Sequence, residues 1–212
     1  MKLAPVGVAA LIFSTVSQLG LEMLTVLFKY VGVVLLALVL HVLLTYSLIL
    51  KFGAKTHVLS FYKSITEIIV TAFSTSSSNA TLPTAIRVTN QTLKKRSDLV
   101  NFVLTIGATA NQNGTALYEG ATVLFLAQFY NIELTMLQQV AVVLLSVVAG
   151  IGTAGVPGGS LPFLVFVLFS IGVPVEGVGI IMGVDRLLDM SRTVVNVVGD
   201  VALAAWVVES EK

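Results

Sequence analysis

DRLLDMSRTVVNVVGD, residues 185–200, is the stretch on which the fold turns. Asp185, Asp189, Arg192, Asn196 and Asp200 follow one another at intervals of 4, 3, 4 and 4. In a helix those intervals put all five on one face, with Ile, Leu and Val on the other. A charged residue at mid-helix in lipid costs roughly 2.5–3.5 kcal/mol on insertion scales. Several on one stripe therefore have a reason to be there. Either Asp189 and Arg192 form an internal ion pair that only fastens helices together, or the stripe is the polar wall of a substrate and ion site.

That stripe sits in a chain of 212 residues of which 56% are hydrophobic and 11% charged. An average soluble domain carries about 25% charged residues. Too little polar side chain is present to cover a soluble protein of this size, which points to lipid as the solvent. The net charge of +1 gives no sign of nucleic-acid binding, since the basic residues lie in short loops and form no stripe. Absence of cysteine excludes disulfides, thiolate catalysis and cysteine metal sites, and His41 and His57 are too far apart in the chain to suggest a metal centre.

Residues 22–51 form the clearest ordinary transmembrane helix, long enough to cross about 30 Å of hydrocarbon with some tilt. Residues 1–20 read as a partial membrane helix; Pro5 and the lack of a small-residue cleavage site argue against a signal peptide. Beyond residue 51 the apolar segments shorten and break at their centres, at STSSSNATLP (74–83), ATANQNGT (108–115) and AGIGTAGVPGGSLP (149–162). A break at membrane depth survives only when buried in protein or facing a watery cavity. The first and third are expected to be helical hairpins that enter and leave on one side, spanning 58–92 and 135–172. The second is a helix over 98–130 unwound in its middle, and the polar-faced helix occupies 174–208. Discontinuous helices meeting at a midplane site are the mark of a secondary transporter. The expected fold is thus an all-α integral membrane protein with two re-entrant helical hairpins and an unwound helix. A core over 21–208 is followed by a cytoplasmic tail, 209–212. Lys51, Lys55, Lys63, Arg87, Lys94, Lys95 and Arg96 flank the first hairpin, while the loops near Asn131 and Val173 carry acids but no Lys or Arg. The positive-inside rule then opens the first hairpin to the cytoplasm and the third broken segment to the outside, with Lys29, near the outer end of the long helix, as a mild exception.

A guanidinium binds a carboxylate through two parallel hydrogen bonds, and an aspartate one turn away accepts from an ammonium group. Arg192 with Asp189 could thus hold a side-chain carboxylate and an α-amino group together. An α-carboxylate would need neutral donors, for which Asn196, Ser77, Ser78, Thr115 and tip backbone N–H groups are available. Asn111, Asn196 and Asp200, with carbonyls from unwound Gly107–Asn111 and Gly150–Thr153 stretches, suit a hard cation such as Na⁺. Asn111 and Asn113 could equally cap a helix break, and the glycines of 150–159 could serve close packing. Glu119 lies within an apolar stretch. A carboxyl withdrawn from water prefers its neutral form and can carry a proton, though a hydrogen bond to a neighbouring helix would also explain it.

SSSNATLP, GATANQNGTALYEG, GIGTAGVPGG and DRLLDMSRTVVNVVGD occur in this order over nearly the whole chain. Together they resemble the dicarboxylate/amino-acid:cation symporter family, which includes the glutamate transporters. The resemblance implies that Ser77 and Ser78 belong to an inner hairpin gate and Gly155, Val156 and Pro157 to an outer one. It implies Thr115, Val156, Asp189, Arg192, Thr193 and Asn196 as further substrate ligands, with Asp189 taking the amino group and Arg192 the side-chain carboxylate. It implies one Na⁺ site at Gly107, Asn111, Asn196 and Asp200, and a second at Thr109, Gly150, Ile151 and Thr153, largely through carbonyls. Glu119 sits where proton-coupled members place a glutamate. Members for C4-dicarboxylates lack the aspartate and those for neutral amino acids lack the arginine, so the pair favours glutamate or aspartate. No cofactor and no enzymatic activity are expected, and the location implied is the cell inner membrane, multi-pass.

Departures from the family pattern are informative. NMDGT reads NQNGT here, so Asn113 stands for an aspartate that helps bind a further sodium, and Gln112 for a methionine tied to coupling. Ser76 and Met190 occupy the two positions where a second arginine is usual. The family also has further helices ahead of this region, supplying most of a homotrimeric scaffold. The chain accordingly reads as a C-terminal part, and the alternative to a transporter is a truncated, non-transporting piece. An intramembrane aspartyl protease would need G-x-G-D, whereas residues 197–200 read VVGD; serine types need a Ser–His pair, and both histidines lie outside the broken segments.

Overall fold

The computed structural model describes residues 22–211 without interruption, together with Val6, Ala10, Phe13, Ser17 and Gly20. The expected partial helix over residues 1–20 thus lies largely outside the described residues. Every regular element among the described residues is helical.

Helix α1, Glu22–His41, buries Met23, Leu27, Tyr30, Val34 and Leu38, a single stripe at helical spacing. The rest of its surface is apolar and open, with Phe28, Val33 and Leu36 each more than half exposed. In water such a face would be an aggregation site; hydrocarbon satisfies it. The apolar run continues through wider turns at Val42–Tyr46 and Ile49–Gly53. There the Tyr62 hydroxyl donates to the Val42 carbonyl at 3.1 Å.

A hairpin follows. Helices α2 (Val58–Ser64) and α3 (Thr66–Thr75) lead to a tip at Ser76–Ser77, and α4 (Ser78–Leu93) returns. Ser76 takes a left-handed conformation, and Ser77, extended, caps α4 by accepting from the Ala80 N–H at 3.1 Å. Glu67 and Arg87, each ten residues from Ser77, form an ion pair across the two arms. The break is much narrower than the serine-rich stretch suggests. Serine and asparagine are good first-turn residues once an N-cap is in place, and α4 accommodates even Pro83.

Helices α5 (Ser97–Ala110) and α6 (Asn113–Phe129) are parted by only Asn111 and Gln112, which leave helical geometry. Gly107 remains within α5, its carbonyl accepting from the Asn111 N–H at 2.9 Å. The expected unwinding over Gly107–Asn111 is thereby confined to its last residue. Helix α7 (Met136–Gly152) opens with a capping box between Thr135 and Gln138. After a tip at residues 153–160, α8 (Leu161–Ile171) follows and ends at Gly172, whose φ of +80° is the left-handed value that glycine adopts without strain. Gly150 likewise lies inside α7, its carbonyl accepting from the Thr153 N–H at 3.1 Å.

Helix α9, Val178–Ser210, is the axis of the molecule and packs against α1, α3, α4, α5 and α6. Its 33 residues span about 50 Å. All five residues of the polar stripe are buried, with Val195, Val197, Val198, Val201 and Ala204 between and beyond them. Both α1 with its continuation (Glu22–Gly53) and the last helix (Val175–Ser210) are long and apolar enough to cross a membrane.

Candidate functional site

Helix α9 carries the centre of the site at the level where both hairpin tips and the α5–α6 break converge. Ser77 Oγ donates to the Gly155 carbonyl at 2.6 Å, and the Asn79 N–H donates to the same oxygen at 3.1 Å. One tip is thus fastened to the other. Behind the contact lies a cavity of about 10 Å³, room for about one water. Of the residues expected to bind substrate, Ser78, Thr115, Val156, Asp189, Arg192, Thr193 and Asn196 line it. Ser77 is not among the lining residues and instead ties the two tips together. Val156 lines it while remaining 46% exposed.

Arg192 and Asp189 are 3% and 4% exposed. Arg192 donates to Asp189 Oδ1 through Nε at 3.1 Å and Nη2 at 2.8 Å. The other carboxylate oxygen accepts from the Gly158 N–H in the second tip at 3.1 Å. The guanidinium lies over the Tyr118 ring, 4.4 Å from its centre, and the Tyr118 hydroxyl donates to Asp185 Oδ1 at 2.6 Å. Arg192 Nη1 has no hydrogen-bond partner among the described residues. A buried guanidinium with a free donor is suited to a further acceptor. Both readings of the stripe are therefore represented: the pair is internal, and one of its members has capacity left over. Thr193 turns its hydroxyl back to the Asp189 carbonyl at 2.8 Å.

Asn196 binds the start of α6. Its Oδ1 accepts from the N–H groups of Gly114 at 2.7 Å and Thr115 at 3.3 Å, and its Nδ2 donates to Gln112 Oε1 at 2.6 Å and Thr115 Oγ1 at 3.0 Å. Gly114 permits this approach, since a Cβ there would stand 2.5 Å from the Arg192 carbonyl oxygen. Gln112, read from the sequence only as a departure, proves to be a buried part of the same cavity wall. Tyr118 was not singled out by the sequence at all. Its place, four residues beyond Gly114 on α6, is the only hint that it faces α9.

One turn deeper, Asp200 Oδ1 accepts from Asn111 Nδ2 at 2.8 Å, and Asn113 Nδ2 donates to Asn111 Oδ1 at 2.8 Å. Gly107 backs directly on Asp200. The first set of expected cation ligands thus forms two neighbouring groups, Gly107–Asn111–Asp200 here and Asn196 beside the cavity. The second set is less assembled. Thr153 lines the cavity, while Thr109 is exposed with its hydroxyl on the Ile106 carbonyl. Glu119, one turn past Thr115, is fully buried, and neither carboxyl oxygen has a hydrogen-bond partner among the described residues.

Residues 1–210 match the sodium:dicarboxylate symporter family. The chain is 44% identical to a "Proton/sodium-glutamate symport protein" of Bacillus subtilis (strain 168), over 98% of this chain and 48% of that protein. It is 40% identical to a "Proton/glutamate-aspartate symporter" of the same organism, over 98% of this chain and 50% of that protein. With the "Proton/glutamate-aspartate symporter" of Escherichia coli (strain K12) the identity is 37%, over 98% and 47%. The chain spans about half the length of the curated relatives it matches.

Proposed function

Because the chain belongs to the sodium:dicarboxylate symporter family, we propose that its site carries an acidic amino acid, glutamate or aspartate, in symport with Na⁺, H⁺ or both. The buried Asp189–Arg192 pair, with Arg192 Nη1 unpartnered beside a cavity under two hairpin tips, is the observation that carries this reading.

The geometry supports an exchange of partners. The substrate's side-chain carboxylate takes Arg192, its ammonium group takes Asp189, and Thr115 with Asn196 Nδ2 takes the α-carboxylate. Each charge released on breaking the internal pair finds a new partner, so no buried charge is stranded. Val156, Ser77 and Ser78 enclose the ligand from the two tips. The hairpins are re-entrant and form the gates, one opening on each side of the membrane in alternating access, and residues 21–208 move as the transport core. The whole protein works as a homotrimer in the inner membrane.

Asp200, Asn111 and the Gly107 carbonyl, with Asn196, form the Na⁺ site we favour. Asn113 brings no charge to it, which leaves Asp200 as its single carboxylate. Glu119 is the proposed proton carrier. A carboxyl buried without a donor is least costly in its neutral form, and its place one turn from Thr115 lets substrate and proton be felt by one another. The test is calorimetric titration of the purified chain with L-aspartate, L-glutamate, succinate and L-serine, with and without Na⁺, at two pH values. Aspartate or glutamate binding that depends on Na⁺ or pH is expected. Succinate or serine binding in their place would reassign the site within the family.

A further inference from the structure

One run of hydrogen bonds has its polarity fixed at both ends by the backbone. At one end the Gly114 N–H donates to Asn196 Oδ1, which turns Asn196 Nδ2 the other way, towards Gln112. At the other end Gln112 Nε2 donates to the Ala108 carbonyl at 3.1 Å. Gln112 Oε1 is therefore the atom that meets Asn196, and it accepts there from Asn196 Nδ2 at 2.6 Å and from the Thr115 hydroxyl at 3.1 Å. These are the two neutral donors that an α-carboxylate would use. An amide oxygen already occupies their convergence point.

We propose that Gln112 is an internal competitor for the carboxylate subsite, its Oε1 standing in for a substrate carboxylate oxygen until the substrate displaces it. The proposal rests on the acidic-substrate reading above. In the free protein the side chain keeps both donors satisfied, which matters because buried unpaired polar groups are costly. It also serves the Ala108 carbonyl at the helix break. Only a ligand with an acceptor strong enough for both donors can replace it, and a carboxylate accepts charge-assisted bonds where an amide oxygen accepts neutral ones. Gln112 is thus a specificity-determining residue. It lowers the affinity of every ligand that needs the subsite by the fraction of time it holds it, and a ligand without the carboxylate gains nothing there because it cannot displace the amide.

A merely structural Gln112, present to mend the break between α5 and α6, would behave differently. Its replacement would lower stability and leave the affinity of the folded protein unchanged. Methionine is close in shape and offers only a weak acceptor. In the Q112M chain L-aspartate is expected to bind roughly two- to tenfold more tightly by calorimetry, the range of one net hydrogen bond. The ligand-free melting temperature is expected to fall, so affinity and stability move in opposite directions. In Q112E a second carboxylate faces the subsite, and aspartate binding at neutral pH should weaken beyond detection of the wild-type range. If Q112M does not fold, Q112L carries the same expectation. Aspartate binding to Q112M that is equal to or weaker than in the wild type overturns this inference and leaves the substrate reading standing. No aspartate binding by either chain overturns the substrate reading, and the inference with it.

Discussion

Arg192 shows how much depends on a single side chain. It is 3% exposed, holds Asp189 through two nitrogens, stacks on Tyr118 and keeps Nη1 in reserve. Removing one partner of a buried pair costs about 3–5 kcal/mol, because the other charge is left without compensation. In R192A, Asp189 would retain the Gly158 N–H and a distant Arg186, 3.9 Å away. R192A is expected to fold with a lowered melting temperature and to lose binding of aspartate and glutamate. Unchanged aspartate affinity in that variant would sink the role assigned to Arg192. The double variant D189N/R192Q removes both charges and should be the more stable of the two, although it too cannot bind. Glu119 is a separate case at the same scale. The amide in E119Q mimics the neutral carboxyl in shape and charge, so the folded protein should survive the change. Any dependence of substrate affinity on pH in the wild type should flatten in E119Q; a profile that persists would move the proton-carrying role elsewhere.

Between elements, contacts are decided by how closely helices approach, and here glycine sets the limit. A Cβ on Gly107 would stand 2.5 Å from Asp200 Oδ1, inside any real contact distance. G107A must therefore push α5 away from α9 or turn Asp200 out of its bond with Asn111. Overpacking of this kind costs about 1–3 kcal/mol. We expect a lowered melting temperature together with loss of any Na⁺ dependence of aspartate binding; stability lost with Na⁺ dependence intact would separate Asp200 from the cation. The same element explains what could be read from the sequence. Intervals of three and four put the α9 stripe on one face, and the polar and glycine-rich stretches at 74–83, 108–115 and 149–162 marked the neighbourhoods in which helices end. Those signals are local. The extent of each break was not legible, because Ser78 and Gly150 are equally at home in a loop or in a helix turn. Nor was the pairing of Gln112 with Asn196, 84 residues apart, since neither side chain carries a mark of its partner. Tyr118 illustrates the same limit: an aromatic in an apolar helix gives no notice that it will sit beneath a guanidinium.

Across the whole molecule, charge separates along the axis of α9. Lys95 pairs with Glu209 at 3.5 Å, which brings the loop after the first hairpin to the C-terminal end of α9. In that loop Arg96 donates to both oxygens of Asp98, in the first turn of α5, at 3.2 and 3.0 Å. Trp206 packs on Gly53, so the far end of the α1 run, with Lys51 and Lys55, lies there too. At the opposite end Met23 and Leu27 pack with Ile180, Phe129 and Tyr130, and Gly177 abuts Tyr130. The loops at that end carry Glu133 and Glu176 and no Lys or Arg. Basic short loops favour the cytoplasmic side, so the end with Lys51, Lys55, Lys94, Lys95 and Arg96 should face inwards. The chain has no cysteine, so single cysteines can report this without background. K94C should react with a membrane-impermeant maleimide only in inverted vesicles, and E176C only on intact cells. The reverse pattern would invert the orientation, and with it which hairpin opens to which side. Labelling of both positions from one side would be worse for the transporter reading, because α9, about 50 Å long, would then not cross the membrane that alternating access requires it to span.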